Sequence, residues 1–116
     1  MFDMPAVPRP MSHAALRILL ALAPGERHGY AIMQELKSDG LGAPLGPGSL
    51  YRTIQQLLDD RLIVETPEAA RDSTDERRRY FRLSAAGRRA LGAETARLSD
   101  VLRRAAAIGI SLPKRR

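Results

Sequence analysis

From Ser49 to Gln56 the chain sets a serine, a tyrosine, an arginine and two glutamines on a segment whose other positions are largely apolar at helical spacing. Leu50, Ile54, Leu57 and Leu58 recur at i, i+4, i+7 and i+8, forming one stripe and leaving Tyr51, Arg52, Gln55 and Gln56 on the other faces. Arginine pairs with guanine and glutamine with adenine through two hydrogen bonds each, so Arg52, Gln55 and Gln56 are candidates for reading base edges. Ser49 and Tyr51 stand where the helix begins. Their hydroxyls and the free backbone N–H groups there suit a phosphate oxygen. Ser49 is also the expected N-cap.

Other chemistries find no support in the residues. His13 and His28 are the two histidines, no cysteine is present, and neither histidine belongs to a compact ligand cluster, so no metal or cofactor is expected. His28 is expected to pack or hydrogen-bond at a helix start. Asp59 and Asp60 are adjacent, which on a helix separates them by about 100°, and they do not form an acid–base pair. Gly46-Pro47-Gly48 lacks the lysine and spacing of a nucleotide-phosphate loop. No nucleophile, base and oxyanion donors converge, and an enzyme is not expected.

The charge is lopsided. The chain has 116 residues and a net charge of +6; positions 1–60 carry five basic and six acidic groups, positions 61–116 fourteen and seven. Clustered Arg and Lys favour polyanions through counterion release. Aromatics are 4% of the chain, so the core must rest on aliphatic side chains. The absence of cysteine and of an apolar segment long enough to span a bilayer leads to the expectation of a soluble, cytoplasmic protein.

These candidates need a scaffold. Residues 1–10, with Pro5, Pro8 and Pro10, form an expected flexible arm. A buried helix follows from the Ser12 cap to Pro24-Gly25, then a turn over Gly25 to Gly29 and a short amphipathic helix through Leu36. The Gly- and Pro-rich stretch 40–48 is a loop before the third helix. Leu62 to Thr66 and Arg79 to Leu83 read as two strands joined by a charged wing. Arg77, Arg78 and Arg79 are its basic residues; being consecutive, they cannot all face one way, so one or two of them reach phosphate. Ser84 caps a last helix over 85–112, ahead of a basic tail at 113–116. On that helix Leu91, Leu98, Val101, Leu102, Ala105 and Ile108 follow a seven-residue rhythm, a seam expected to be covered by a second copy of the chain. The alternative is a helix folded back on the first helix of its own chain.

Three helices, a two-stranded wing and a long terminal helix are the order of parts of a winged helix-turn-helix over 11–84, mainly α with some β. His28-Gly29-Tyr30, Pro47-Gly48-Ser49-Leu50-Tyr51, Leu57 to Ile63, and Tyr80-Phe81-Arg82-Leu83-Ser84-Ala85-Ala86-Gly87 together resemble PadR-family transcription regulators of the short branch with a single C-terminal helix. The resemblance implies a homodimeric repressor that binds an inverted-repeat operator in double-stranded DNA and is released by a small hydrophobic or aromatic effector. A protein-binding winged helix is the other reading. In two respects the chain departs from the pattern: Arg52 follows Tyr51 where the family often has proline soon after, and the chain lacks tryptophan, with which some short members hold planar ligands between subunits.

Overall fold

A computed structural model describes residues 10–66 and 79–111. Residues 1–9 of the arm expected over 1–10, the wing loop with Arg77 and Arg78, and the basic tail lie outside the described residues. Helix α1 (His13–Leu22) starts where the Ser12 hydroxyl accepts a hydrogen bond from the Ala15 N–H at 3.1 Å. Ile18, Leu19 and Leu22 are fully buried, as an apolar run without a polar face requires.

The segment read as a turn contains a strand. Arg27–His28 (β1) is extended and pairs with a later strand, and it is too short for alternation to announce it. Helix α2 (Gly29–Lys37) follows directly, with His28 as its N-cap: the ring Nδ1 accepts from the Ala31 N–H at 3.0 Å. Helix α3 (Pro47–Asp59) begins two residues before Ser49, with Gly46 at the cap and no side-chain cap bond. Proline explains the shift. At the first helical position its fixed φ suits the helix and its missing N–H costs nothing. Ser49 is therefore a first-turn residue and not the cap.

The end of α3 is tightly built. Leu62 N–H donates to Leu57 O and Arg61 N–H to Leu58 O, both at 3.0 Å, with Arg61 in the left-handed region at φ 62°. This is a Schellman closure with arginine at the position that favours glycine. Strands β2 (Ile63–Glu65) and β3 (Tyr80–Leu83) follow, and the antiparallel sheet has the order β1-β3-β2, with Arg27 and Glu65 both opposite Phe81. It has three strands where two were expected. Phe81 is fully buried against the helices, while Arg82 beside it is exposed.

Helix α4 (Ala85–Ala107) is capped by Ser84, whose hydroxyl accepts from Gly87 N–H at 2.9 Å and donates to Arg61 O at 2.7 Å. The Ser84 N–H donates to Leu62 O at 3.1 Å, and a Cβ on Gly87 would lie 1.9 Å from that same oxygen. The Ser-Ala-Ala-Gly run thus clamps the start of α4 to the end of α3. At its far end α4 stops short of the expected 112. Gly109 takes φ 88°, and Gly109 and Ile110 N–H close on Ala106 and Ala105 carbonyls.

The seam on α4 is divided. Leu91 is 8% exposed and belongs to the core of its own chain, and Leu98 packs against that core. Both were expected at an interface between copies; Leu91 is instead buried within its own chain, Leu98 is half-buried against the same core, and α1 packs against α4. Beyond Leu98, Val101, Leu102 and Ile108 are 51%, 47% and 77% exposed, and Ala105 is half-buried. Glu94 is also buried, held by Arg97 at 2.6 and 3.1 Å and by the Met11 N–H, which ties the chain before α1 to α4.

Candidate nucleic-acid interface

Helix α3 is anchored by Leu50, Ile54 and Leu57, which are 0–3% exposed, and turns Ser49, Arg52, Gln55 and Gln56 to the surface. The expected stripe is buried at these three positions and half-buried at Leu58, and the expected face is exposed at Arg52, Gln55 and Gln56. Gln55 Nε2 donates to Asp59 Oδ1 at 2.9 Å one turn on, so this amide must exchange a partner before it meets a base. Gln56 borders a cleft of about 430 Å³ between α3 and the start of α1, shared with Pro10, Ser12 and Asp60.

Tyr51 departs from expectation. Its hydroxyl is buried and its ring, half-buried, lies against Gly29 at the start of α2, so in this geometry the phenol is not offered to a phosphate. The residue sits one position off the exposed stripe, where the helix turns toward its neighbour. Arg79 departs too. Its guanidinium grips Glu65 across the hairpin at 2.7 and 2.9 Å and lies 5.3 Å from the Phe81 ring centre, with the side chain about a third exposed. The Arg79 guanidinium holds the Glu65 carboxyl below the usual carboxylate range, against the opposing effect of burial. Arg82 is the exposed cation of β3, a residue the sequence reading left out.

The loop ahead of α3 is set by a residue the sequence reading passed over. Arg17, 3% exposed in the middle of α1, donates to both Asp39 oxygens at 2.9 and 3.0 Å and to the carbonyls of Leu36 and Ala43 at 2.7 Å. His13 Nε2 bonds Leu41 O, and Asp39 also accepts from Leu41 N–H at 2.9 Å. The Arg17 guanidinium lowers the Asp39 pKa, with burial opposing and the Leu41 N–H assisting. One planar cation thereby satisfies the end of α2 and shapes the 40–46 loop. A lone arginine inside an otherwise apolar helical run was the available signal, since such a charge must find partners.

A model of the family described as "Transcriptional regulator PadR-like family" matches residues 18–93. The chain belongs to the PadR-like family of transcriptional regulators. The match runs from α1 through the sheet into the first turns of α4, the part of the chain in which the recognised motifs lie.

The fold agrees with solved structures. A PadR family transcription regulator from Clostridium difficile R20291 superposes with a TM-score of 0.67 at 18% identity, covering 84% of this chain and 98% of that one. RosR of H. salinarum gives 0.59 at 21% identity, over 90% of this chain and 83% of that one. At these identities the likeness concerns the fold, the winged helix. An uncharacterized 37.1 kDa protein in transposon TN4556 of Streptomyces fradiae is 39% identical over 89 residues, which are 74% of this chain and 24% of that protein. The chain thus spans about a quarter of that relative's length. Among the described residues no helix is long and apolar enough to cross a membrane.

Proposed function

We propose that this transcription regulator is a homodimeric repressor that binds an inverted-repeat operator with α3 in the major groove. The observation that carries the reading is the pairing of a locked apolar face, Leu50, Ile54 and Leu57, with an exposed face of Arg52, Gln55 and Gln56 on one helix. A rigid helix presenting bidentate donors is what base-edge recognition requires. Ser49, exposed in the first turn, contacts phosphate beside the free N–H groups of the helix start. Arg77 and Arg78 of the wing, with Arg82 at its root, supply backbone contacts. Val101, Leu102, Ala105 and Ile108 meet their counterparts in a second copy and set the half-site spacing. Release by a small hydrophobic or aromatic molecule completes the proposal, and its test is an effector-dependent fall in DNA affinity.

A salt titration on the duplex upstream of the chain's own coding sequence tests the core of this reading. Affinity should fall steeply between low and physiological salt, because each neutralised phosphate releases counterions. Arg52→Ala should then cost about 1–3 kcal/mol on the specific site and relax preference at one base pair per half-site. Salt-independent binding, or none, would leave a protein-binding winged helix as the better account. An equal loss for Arg52→Ala on random DNA would make Arg52 a phosphate contact.

A further inference from the structure

Gly29 stands between the two elements that the proposed function sends to DNA. On one side is the recognition helix: a Cβ at Gly29 would lie 2.4 Å from the Tyr51 hydroxyl oxygen and 2.9 Å from Cε1 and Cζ of the same ring. On the other side is the root of the wing: the Gly29 N–H donates to the Arg79 carbonyl at 3.0 Å. Arg79 is itself fixed by its paired bonds to Glu65, so the partner of Gly29 is a held point of the sheet. The Tyr51 hydroxyl is buried, and Arg52, the first candidate base reader, is the next residue of α3.

Glycine is not needed here for its backbone. Gly29 has no positive φ and occupies the first position of α2, a conformation open to most residues. What it supplies is room, and all three atoms nearest to the missing Cβ belong to Tyr51. The phenol ring therefore works as a spacer that rests on the α2 start, while the amide of the same glycine holds the wing root. We infer that Gly29 and Tyr51 form a spacing joint that fixes how far the recognition helix stands from the wing, and so the register in which the two meet one duplex. They are positioning residues; neither touches a base. The inference rests on the DNA-binding reading and adds to it a determinant of selectivity outside the reading face.

The test is a mutant cycle on the full-length chain. The wild-type protein selects a duplex from a randomised pool, and affinities for that duplex and for a scrambled one of equal length are measured for Gly29→Ala, Tyr51→Leu and the double variant. The ratio of the two affinities is the readout, because a merely structural loss lowers both together. Each single substitution should lower the ratio about tenfold with scrambled-duplex affinity unchanged. The double variant, in which the new methyl occupies room vacated by the ring, should recover most of it, a coupling expected of residues in contact. Tyr51→Leu keeps an apolar side chain against the core and remains informative if Gly29→Ala melts. A wild-type ratio in either single variant, or a double variant no better than the worse single, overturns the joint alone. A wild-type chain that enriches no sequence overturns the DNA reading and the joint with it.

Discussion

Replacing Asp39 by alanine tests whether the buried arginine of α1 holds the loop ahead of α3. The substitution leaves a guanidinium that is 3% exposed without its carboxylate, although the Leu36 and Ala43 carbonyls still accept from it at 2.7 Å. Removing one partner of a buried pair costs about 3–5 kcal/mol; with those two carbonyls retained, about 3 kcal/mol is expected. For a domain of this size that lowers Tm by about 10–20 °C. The loss should depend on pH in a defined direction. Asp39 has its pKa lowered below the ordinary 3.8 by the Arg17 bond, so the pair's contribution is fully present above that value and is lost as pH falls through the folded-state pKa. The wild type and Asp39→Ala should therefore differ most near neutrality and converge on acidification below 3.8. Urea denaturation at fixed protein concentration, at neutral pH and in steps below 4, measures both. Adding Arg17→Met should restore part of the stability by removing the stranded charge. An Asp39→Ala protein as stable as wild type at neutral pH, or a gap unchanged in acid, would refute the account of the Arg17 cluster.

Other predictions follow from close approaches and exposed faces. Gly87→Ala should be among the most damaging conservative changes, costing about 3 kcal/mol or more in denaturant titration, because its methyl would meet the Leu62 carbonyl at 1.9 Å and backbone must move. Arg61→Gly should raise stability by about 1 kcal/mol, since an L-residue at φ 62° carries a penalty that glycine lacks. An unchanged or lower melting temperature would show that the arginine side chain stabilises the turn by more than this. Leu102→Glu combined with Val101→Glu should yield a folded monomer in sedimentation, whereas Leu98→Glu should lower the melting temperature of the domain itself, because Leu98 packs on its own core. If the three substitutions behave alike, the division of α4 at Leu98 is wrong.

The order of helices and the wing was legible because helical periodicity and turn residues are local signals. Leu50, Ile54 and Leu57 announced the buried face of α3 by spacing alone, and all three are buried. β1 was not legible, since two residues show no alternation, and its pairing is decided by Phe81 and Tyr80 more than 50 positions away. The same holds for Tyr51. Its residue type and position at a helix start suited a phosphate contact, and only the approach of α2 shows that the hydroxyl points inward. Which of the three wing arginines turns away was not legible, because Glu65, the partner of Arg79, lies across the hairpin. Leu91 and Leu98 obeyed a heptad spacing that suits a neighbour from either chain, and sequence spacing cannot tell a second copy from α1.

The positions of Leu91, Leu98 and Tyr51 bear on how spacing between two bound domains would arise. Besides its apolar anchor, α3 is fixed within its own chain by the Arg17 cluster before it, by Gly29 beside Tyr51, and by the Ser84 and Gly87 clamp behind Arg61. None of these fixtures involves the exposed end of α4. From Leu98 to Ile108 that helix runs about 15 Å at 1.5 Å per residue, and it is where Val101, Leu102 and Ile108 are exposed. In the proposed dimer the distance between two recognition helices is therefore set by this stretch while the angle of each is set elsewhere. Substitutions beyond Leu98 should alter dimer affinity and tolerated half-site spacing without changing the bases preferred within a half-site, and substitutions at Gly29 or Tyr51 should do the reverse.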